Sequence, residues 1–339
     1  MNLKYDDLVK SFSQGLKSMY LLYGNEQYLI DQAINKIKKI FGEMLLGINY
    51  IMIDETNVEN IISDIEMPAF GYDKKLIIAK NTGLFKKDGR KKAGSPIQEK
   101  LAEYIKENIE IIDESVILVF VEEEANKTVV YEQIEKNGGI ISEIEELKQF
   151  QLTKKLKQIC SLYKVNADEN TLNYLVEMSG TNLQNLINEI RKLIEFVGEN
   201  GTITIDDVNS LAVKQMESVI FELTDNLAIR KIDKALEILD NLIYQKEPLQ
   251  KILITLYNHF KKIYLCTVAV KLNKDIITSL GLKANQTFLV PKYKKQATYF
   301  KTKELKQILK AFIDLDYKSK NGKLDIDVGL RSILCRYCS

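Results

Sequence analysis

Short apolar runs alternate with amphipathic segments over the first 145 residues of the chain. Between the runs, segments 28–40 and 57–65 are predicted helices. The first is amphipathic, with apolar residues near helical spacing at Tyr28, Ile30, Ala33, Ile34, Ile37 and Ile40. The runs have the length and the polar boundaries of buried strands, and they cover residues 18–23, 49–54, 75–79, 116–121 and 139–144. Strands that alternate with helices in this way predict a parallel, doubly wound five-stranded sheet.

The rest of the chain is predicted to be helical. Residues 146–214 form a small helical domain in this interpretation, with capping residue types at the stretches 166–169, 181–184 and 204–207. The pattern over residues 215–339 predicts helices, which are interrupted mainly at Pro248 and at 282–291. The predicted fold is therefore α/β followed by all-α, in three domains: 1–145, 146–214 and 215–339.

One turn in the α/β region has an unusual composition. Pro68 and Gly71 exclude a regular helix or a central strand across residues 66–73. Turns are usually polar, because they run over the surface, yet this one contains Met67, Phe70 and Tyr72. Two interpretations are open: Phe70 folds back onto the core, or it stays exposed as an anchor for a partner's pocket.

Composition places the chain among ordinary globular proteins. Of its 339 residues, 45% are hydrophobic and 28% are charged. No apolar run has the length of a membrane span, and the first residues lack a signal-peptide pattern. With four cysteines and no secretory signal, we expect a cytoplasmic protein without a membrane partner.

Charge is distributed unevenly along the chain. Residues 1–145 carry 18 basic against 25 acidic side chains, residues 146–214 carry 8 against 9, and residues 215–339 carry 22 against 13. The acidic first domain and basic last domain permit contact with nucleic acid at the C-terminal end but do not require it.

The first strand is followed by the position at which a nucleotide-binding fold keeps its phosphate loop. Such a loop needs several glycines, a lysine and a Ser or Thr to hold phosphates and metal. This chain has one glycine and no lysine there, and its residues are Gly24, Asn25, Glu26, Gln27 and Tyr28. The loop is degenerate, so we expect no nucleotide and no other cofactor.

The fourth strand runs into Glu122, Glu123 and Glu124. An acidic pair at this place holds magnesium in a phosphate-loop ATPase. Without a phosphate loop, a solvated strand end is the favoured interpretation.

Catalytic and metal-binding motifs are missing from the sequence. His259 is the only histidine and lies on a predicted helix face, which leaves a hydrolase triad without support. Cys335 and Cys338 have CxxC spacing, but no second pair completes four zinc ligands. Packing is the favoured interpretation, since an apolar face of a terminal helix would contain Leu330, Ile333, Leu334, Tyr337 and Cys338. We therefore predict no catalytic residue and no metal site.

The C-terminal region has a lysine-rich stretch with interleaved aromatic residues, Tyr293, Tyr299 and Phe300. Its lysines include Lys292, Lys294 and Lys295. Lysines with aromatics suit a nucleic-acid backbone with stacked bases, whereas the favoured alternative is a solvated helix face whose aromatics point inward. The basic stretch 86–92 has the same ambiguity.

The order of a parallel sheet with a degenerate phosphate loop, a helical lid and a helical tail resembles AAA+ clamp-loader subunits. Four regions, in order along the chain, are similar to the delta subunit of bacterial DNA polymerase III: 20–30, 67–76, 180–193 and 316–322. In addition, Gln184 stands where ATPase relatives carry a nucleotide-sensing arginine.

The resemblance implies a non-catalytic subunit that binds the beta sliding clamp and opens its ring during DNA replication. Phe70 would be the main anchor, flanked by Met67, Pro68 and Ala69, with Tyr72 next in line. The implied partners are the ATP-binding gamma/tau subunits and delta-prime in a hetero-pentamer, with DNA in the assembled complex. The C-terminal helices would form the collar. The alternatives are an AAA+ ATPase using Glu122–Glu124 and a nucleic-acid-binding module using the lysine-rich region.

Overall fold

The structure is a computed structural model that describes residues 1–86 and 96–338. It separates into two compact units, Met1–Glu146 and Leu147–Ser339. The division into three domains, with a boundary at residue 214 inside the second unit, stays a prediction.

The first unit alternates strands with helices. Two short 3-10 helices, Phe12–Gln14 and Val58–Asn60, accompany them. The main elements are α1 (Tyr5–Ser11), β1 (Met19–Tyr23), α2 (Gln27–Phe41), β2 (Tyr50–Ile53), α3 (Ile61–Glu66), β3 (Lys75–Lys80), α4 (Pro96–Glu107), α5 (Ile109–Ser115), β4 (Val116–Glu122), α6 (Val129–Lys136) and β5 (Ile140–Glu143).

These strands form a five-stranded sheet in the order β2-β3-β4-β1-β5, and all of its pairings are parallel. The predicted fold class is therefore confirmed. The strands expected at 49–54 and 139–144 are shorter than predicted. The helix expected at 57–65 begins as a 3-10 turn and becomes α-helical only at Ile61. The first residues of the chain cover β5, since the Leu3 N–H donates to the Ile141 carbonyl at 2.9 Å.

Helix α2 shows why apolar spacing predicted most of the buried face. Ile30, Ala33, Ile34 and Ile37 are buried as predicted. Leu29 is also buried, although it was not among the predicted positions, and Ile40 in the last turn is 48% exposed. The predicted contribution of Ile40 to the core is wrong.

The second unit is mostly helical. It adds one minimal parallel pair, β6 with β7, and one 3-10 helix, Ala284–Leu289. Its elements are α7 (Gln149–Leu162), β6 (Asn166–Ala167), α8 (Glu169–Ser179), α9 (Leu183–Val197), β7 (Thr202–Ile203), α10 (Ile205–Leu211), α11 (Met216–Ala228), α12 (Ile232–Tyr244), α13 (Leu249–Lys271), α14 (Ile276–Leu280), α15 (Val290–Ala297), α16 (Thr302–Lys320) and α17 (Ile326–Cys338).

Side-chain caps start three of these helices where the sequence predicted them. The Asp168 carboxylate accepts from the Thr171 N–H at 2.6 Å, and the Asn182 side chain accepts from Asn185. Thr204 and Asp207 form a reciprocal capping box. None of the helices in the described part of the chain is long and apolar enough to cross a membrane.

His259 lies on a helix face, as predicted, and this face of α13 is buried inside the second unit. It is 4% exposed, and its Nε2 is 2.7 Å from Gln296 Oε1. An amide oxygen only accepts, so Nε2 carries the hydrogen. Burial lowers the pKa of His259 from 6.5 to about 3, and the nearby Lys262 adds to this. The imidazole is therefore a neutral structural group.

We expect the His259 imidazole to remain neutral between pH 5 and 8. Because the unfolded chain binds a proton below pH 6.5 and the folded chain does not, this group costs about 2 kcal/mol of stability by pH 5. The chain has one histidine, so nitrogen NMR of the histidine-labelled protein reads its titration directly. A midpoint near pH 6.5 in the folded protein would contradict this assignment. The His259→Gln variant should lose less stability than the wild type between pH 7.5 and pH 5.

Candidate functional site

The apolar turn, residues 67–72, connects α3 to β3. Helix α3 ends at Glu66, and its C-cap residue Met67 has an extended ψ of 129°, as expected for the residue before a proline. The Tyr72 N–H then donates to the Ala69 carbonyl at 3.0 Å. The two residues between them, Phe70 and Gly71, have φ values of 22° and 92°. A tight turn with two positive φ values therefore forms the tip.

The turn presents its apolar side chains to solvent. Phe70 is 69% exposed and Met67 is 43% exposed. Pro68 is also exposed, while Ala69 and Tyr72 are half-buried. The interpretation in which Phe70 folds back onto the core is therefore wrong. The structure brings the five predicted binding residues together on one short loop.

Lys75 lies beneath this turn, at the start of β3. Its side chain is buried, at 1% exposure. The ammonium donates to the Ile65 carbonyl at 3.3 Å and also to the carbonyls of Asp64 and Met67. From the sequence, Lys75 is expected only to be the charged first residue of a strand. A lysine is rarely buried, so the sequence contained no signal for this contact.

A second exposed apolar segment lies at the same edge of the sheet. Met44, Leu45 and Leu46 precede β2, and Leu46 is 70% exposed. Asn49 is buried and holds this loop, accepting from the Leu45 N–H at 2.6 Å and donating to the Glu43 carbonyl at 2.9 Å. This loop was not predicted, although three adjacent apolar residues between Gly42 and Gly47 were a signal in the sequence.

The degenerate phosphate loop lies at the opposite edge, where β1 ends. The Gly24 N–H donates to the Glu122 carbonyl, and the Glu26 N–H donates to the Ile144 carbonyl, both at 3.2 Å. A Cβ at Gly24 would come within 2.3 Å of the Ile144 carbonyl oxygen. Glu26 is buried and Tyr28 is half-buried, while Asn25 and Gln27 are exposed. Two amides of this loop, those of Gly24 and Glu26, are therefore bonded to neighbouring backbone and not directed at a ligand.

Glu122 is buried, so its expected place at a solvated strand end is wrong. It is 4% exposed, and its Oε1 accepts from the Thr82 N–H at 2.8 Å and from the Thr82 hydroxyl at 2.7 Å. Burial raises the pKa of Glu122, and the two Thr82 hydrogen bonds oppose this shift. Its role in the structure is to hold the segment after β3. Glu123 and Glu124 are exposed, as expected of a solvated strand end.

The lysine-rich stretch separates into paired and exposed side chains. Lys292 forms an ion pair with Glu177 of α8, with 2.5 Å between the charged atoms. Lys294 and Lys295 are exposed. Tyr293 and Phe300 are buried, as the solvated-face interpretation predicts, but Tyr299 is 44% exposed. Of the basic stretch 86–92, all residues after Lys86 lie outside the described part of the chain.

The candidate metal ligands form no metal-binding cluster in the described part of the chain. Over residues 1–86 and 96–338, no group of three or more His, Cys, Asp or Glu side chains could hold a metal ion. Cys335 is exposed on α17, and Leu330, Ile333 and Leu334 of that helix are buried as predicted.

Two family models match separate parts of the chain. The model of the DNA polymerase III delta subunit matches residues 20–143, which contain the sheet and the apolar turn. The model of the C-terminal domain of this subunit matches residues 217–337. Both matches belong to one family and follow in the order that the resemblance implied.

Individual relatives match nearly the whole chain. A protein of Aquifex aeolicus, named probable DNA polymerase III subunit delta, is 30% identical over 89% of this chain and 86% of its own length. DNA polymerase III subunit delta of Bacillus subtilis is 25% identical over 94% of this chain and 92% of its own. The solved structure of the Bacillus subtilis clamp loader delta protein covers 98% of this chain and 99% of that one, with a TM-score of 0.74 and 24% identity, which shows a common fold. The chain is a member of the DNA polymerase III delta subunit family.

Proposed function

We propose that this chain is the clamp-loader subunit that binds the beta sliding clamp through the apolar turn and opens the ring for loading onto primed DNA. The observation that carries the proposal is the exposure of Phe70 at the tip of an ordered turn. A large exposed aromatic is a cost to an isolated protein and a typical centre of a binding interface.

The geometry of the turn favours binding. Full burial of the Phe70 side chain in a pocket of the clamp contributes about 2–3 kcal/mol through apolar area. The Tyr72–Ala69 hydrogen bond closes the turn before any partner arrives. Since less conformational freedom is lost on binding, more of that free energy appears as affinity. Met67 and Pro68 are exposed beside it and would extend the contact.

Ring opening requires that the subunit bind the opened clamp more tightly than the closed one. A rigid turn on a rigid sheet suits this requirement, because it transmits contact strain to the clamp and does not itself yield. The turn also lies at the amino edge of the sheet, away from the degenerate phosphate loop at the carboxyl edge. In this proposal the chain needs no nucleotide of its own for clamp contact.

The subunit acts within an assembly in this proposal. ATP-binding gamma/tau subunits and delta-prime would join it in a hetero-pentamer, with residues 215–339 as the collar. Those ATPases would control when the apolar turn can reach the clamp. The chain itself would be non-catalytic. Of the three lysines predicted to contact DNA, Lys294 and Lys295 would remain available for this contact in the complex, since Lys292 is paired with Glu177.

Replacing Phe70 with Ala should weaken clamp binding about 30-fold or more, because an apolar contribution of about 2 kcal/mol is lost. Surface plasmon resonance with immobilised clamp and purified full-length chain measures the change. Phe150→Ala is the matched control, since Phe150 is 65% exposed but lies on α7 in the other unit. Its affinity should equal that of the wild type.

Circular dichroism should show the same helix content in both variants. Equal binding by the wild type and by Phe70→Ala would move the contact elsewhere on the turn, and Tyr72→Ala would then be tested next. No binding of the clamp by the wild type would refute the proposal. The DNA-binding alternative would then be tested by salt-dependent affinity of the isolated chain for DNA.

The chain should bind no ATP in the presence of Mg²⁺, as measured by isothermal titration calorimetry.

We expect Glu122→Gln to be at least as stable as the wild type at pH 7. The amide still accepts the Thr82 hydrogen bonds, and a buried charge is removed. The difference in free energy of unfolding between Glu122→Gln and the wild type should shrink as the pH falls. The reason is that the wild-type carboxyl, whose pKa is raised, then binds its proton.

Glu122→Ala should lose about 1–3 kcal/mol, because the Thr82 donors are left unpaired. Urea denaturation measures both variants. Magnesium-dependent ATP binding that Glu122→Gln abolishes would favour the ATPase alternative.

A further inference from the structure

The end of helix α3 leaves backbone acceptors that the chain cannot satisfy in the usual way. Helices commonly end with N–H groups of the next two residues donating back to the last-turn carbonyls. Here Pro68 stands directly after the last cap residue, Met67, and has no N–H to donate. The last hydrogen bond of the helix runs from the Met67 N–H to the Ser63 carbonyl, at 3.0 Å.

Lys75 supplies the missing donors from another part of the fold. Its ammonium has three N–H groups, and it contacts three carbonyl oxygens, those of Asp64, Ile65 and Met67. Two of these belong to the last turn of α3, and the third opens the apolar turn. A cation at this place also faces the negative end of the helix dipole.

The lysine itself is held firmly. It is the first residue of β3, where it is paired with Val116 of β4, and its side chain is 1% exposed. Burial lowers the pKa of the Lys75 ammonium, and the charge of the nearby Asp64 carboxylate opposes this shift. An apolar side chain of the same length would fill the space but leave three carbonyls unpaired, at a cost for each.

We infer that Lys75 is a positioning residue for clamp binding: it ties the start of the apolar turn to the central sheet and so presents Phe70 in its bound geometry. This inference rests on the proposed function of the turn. Lys75 does not contact the clamp. Its effect on affinity comes from fixing the Met67 carbonyl, three residues before the anchor.

The order of the turn can be measured without any partner. The chain contains no tryptophan, so Phe70→Trp places a single tryptophan at the tip, which can be excited at wavelengths that tyrosine does not absorb. Time-resolved anisotropy of this residue should show a large drop in residual anisotropy when Lys75→Met is added, because the turn gains nanosecond motion. Lys75→Arg retains a buried cation with several donors and should restore most of the order.

A matched control separates positioning from general loss of stability. Val130→Ala removes buried methyl groups from α6, whose main contacts are with α4, β1 and β5. It should destabilise the protein by an amount similar to Lys75→Met, yet leave the anisotropy of residue 70 unchanged. If Lys75→Met does not fold, Lys75→Gln, with two donors in place of three, serves instead and should give an intermediate loss of order.

The second readout is the affinity for the clamp, measured in variants that keep the native Phe70. Lys75→Met should weaken binding about tenfold, mainly through faster dissociation, while Val130→Ala and Lys75→Arg stay near the wild type. An ordered residue 70 in Lys75→Met, or an affinity equal to that of Val130→Ala, would overturn the inference. If Phe70→Ala binds the clamp normally, the proposed site fails instead, and the anisotropy result still decides the role of Lys75 in the turn.

Discussion

All five strands of the sheet run in one direction, and this constraint sorts the features of the first unit between two edges. Each helix must return to the amino edge before the next strand begins, and each strand ends at the carboxyl edge. The connection from α3 to β3 is therefore at the amino edge, together with the Asn49 loop before β2. The turn after β1, where a nucleotide would bind, is at the carboxyl edge.

At each edge, a buried ionisable side chain forms hydrogen bonds that hold the adjoining loop. At the carboxyl edge, Glu122 receives the Thr82 hydrogen bonds, and the amides of Gly24 and Glu26 are bonded to backbone carbonyls. This edge has the topology of a nucleotide site, but these two amides already have backbone partners. At the amino edge, the Lys75 ammonium closes the end of α3 and leaves Phe70 outside. The proposed partner contact therefore uses the amino edge of the sheet and not the carboxyl edge.

The sequence predicted the fold well for a physical reason. Strands buried on both faces are continuous apolar runs, so β3 and β4 could be located directly, and Pro68 with Gly71 located the turn between α3 and β3. It could not decide whether Phe70 is buried, because that depends on space left by distant elements. The role of Glu122 was missed because its partner, Thr82, lies 40 residues earlier. Lys75 and His259 were missed because their burial depends on carbonyls and side chains that only the folded chain brings close.

The proposed activity is binding and opening of the sliding clamp through Phe70. The most direct test places a fluorescent donor and acceptor on either side of one subunit interface of the clamp. Addition of the wild-type chain alone, without nucleotide, should lower energy transfer as the interface separates, and Phe70→Ala at the same concentration should leave it unchanged. Unchanged transfer with saturating wild-type chain, or an equal decrease with Phe70→Ala, would contradict this account.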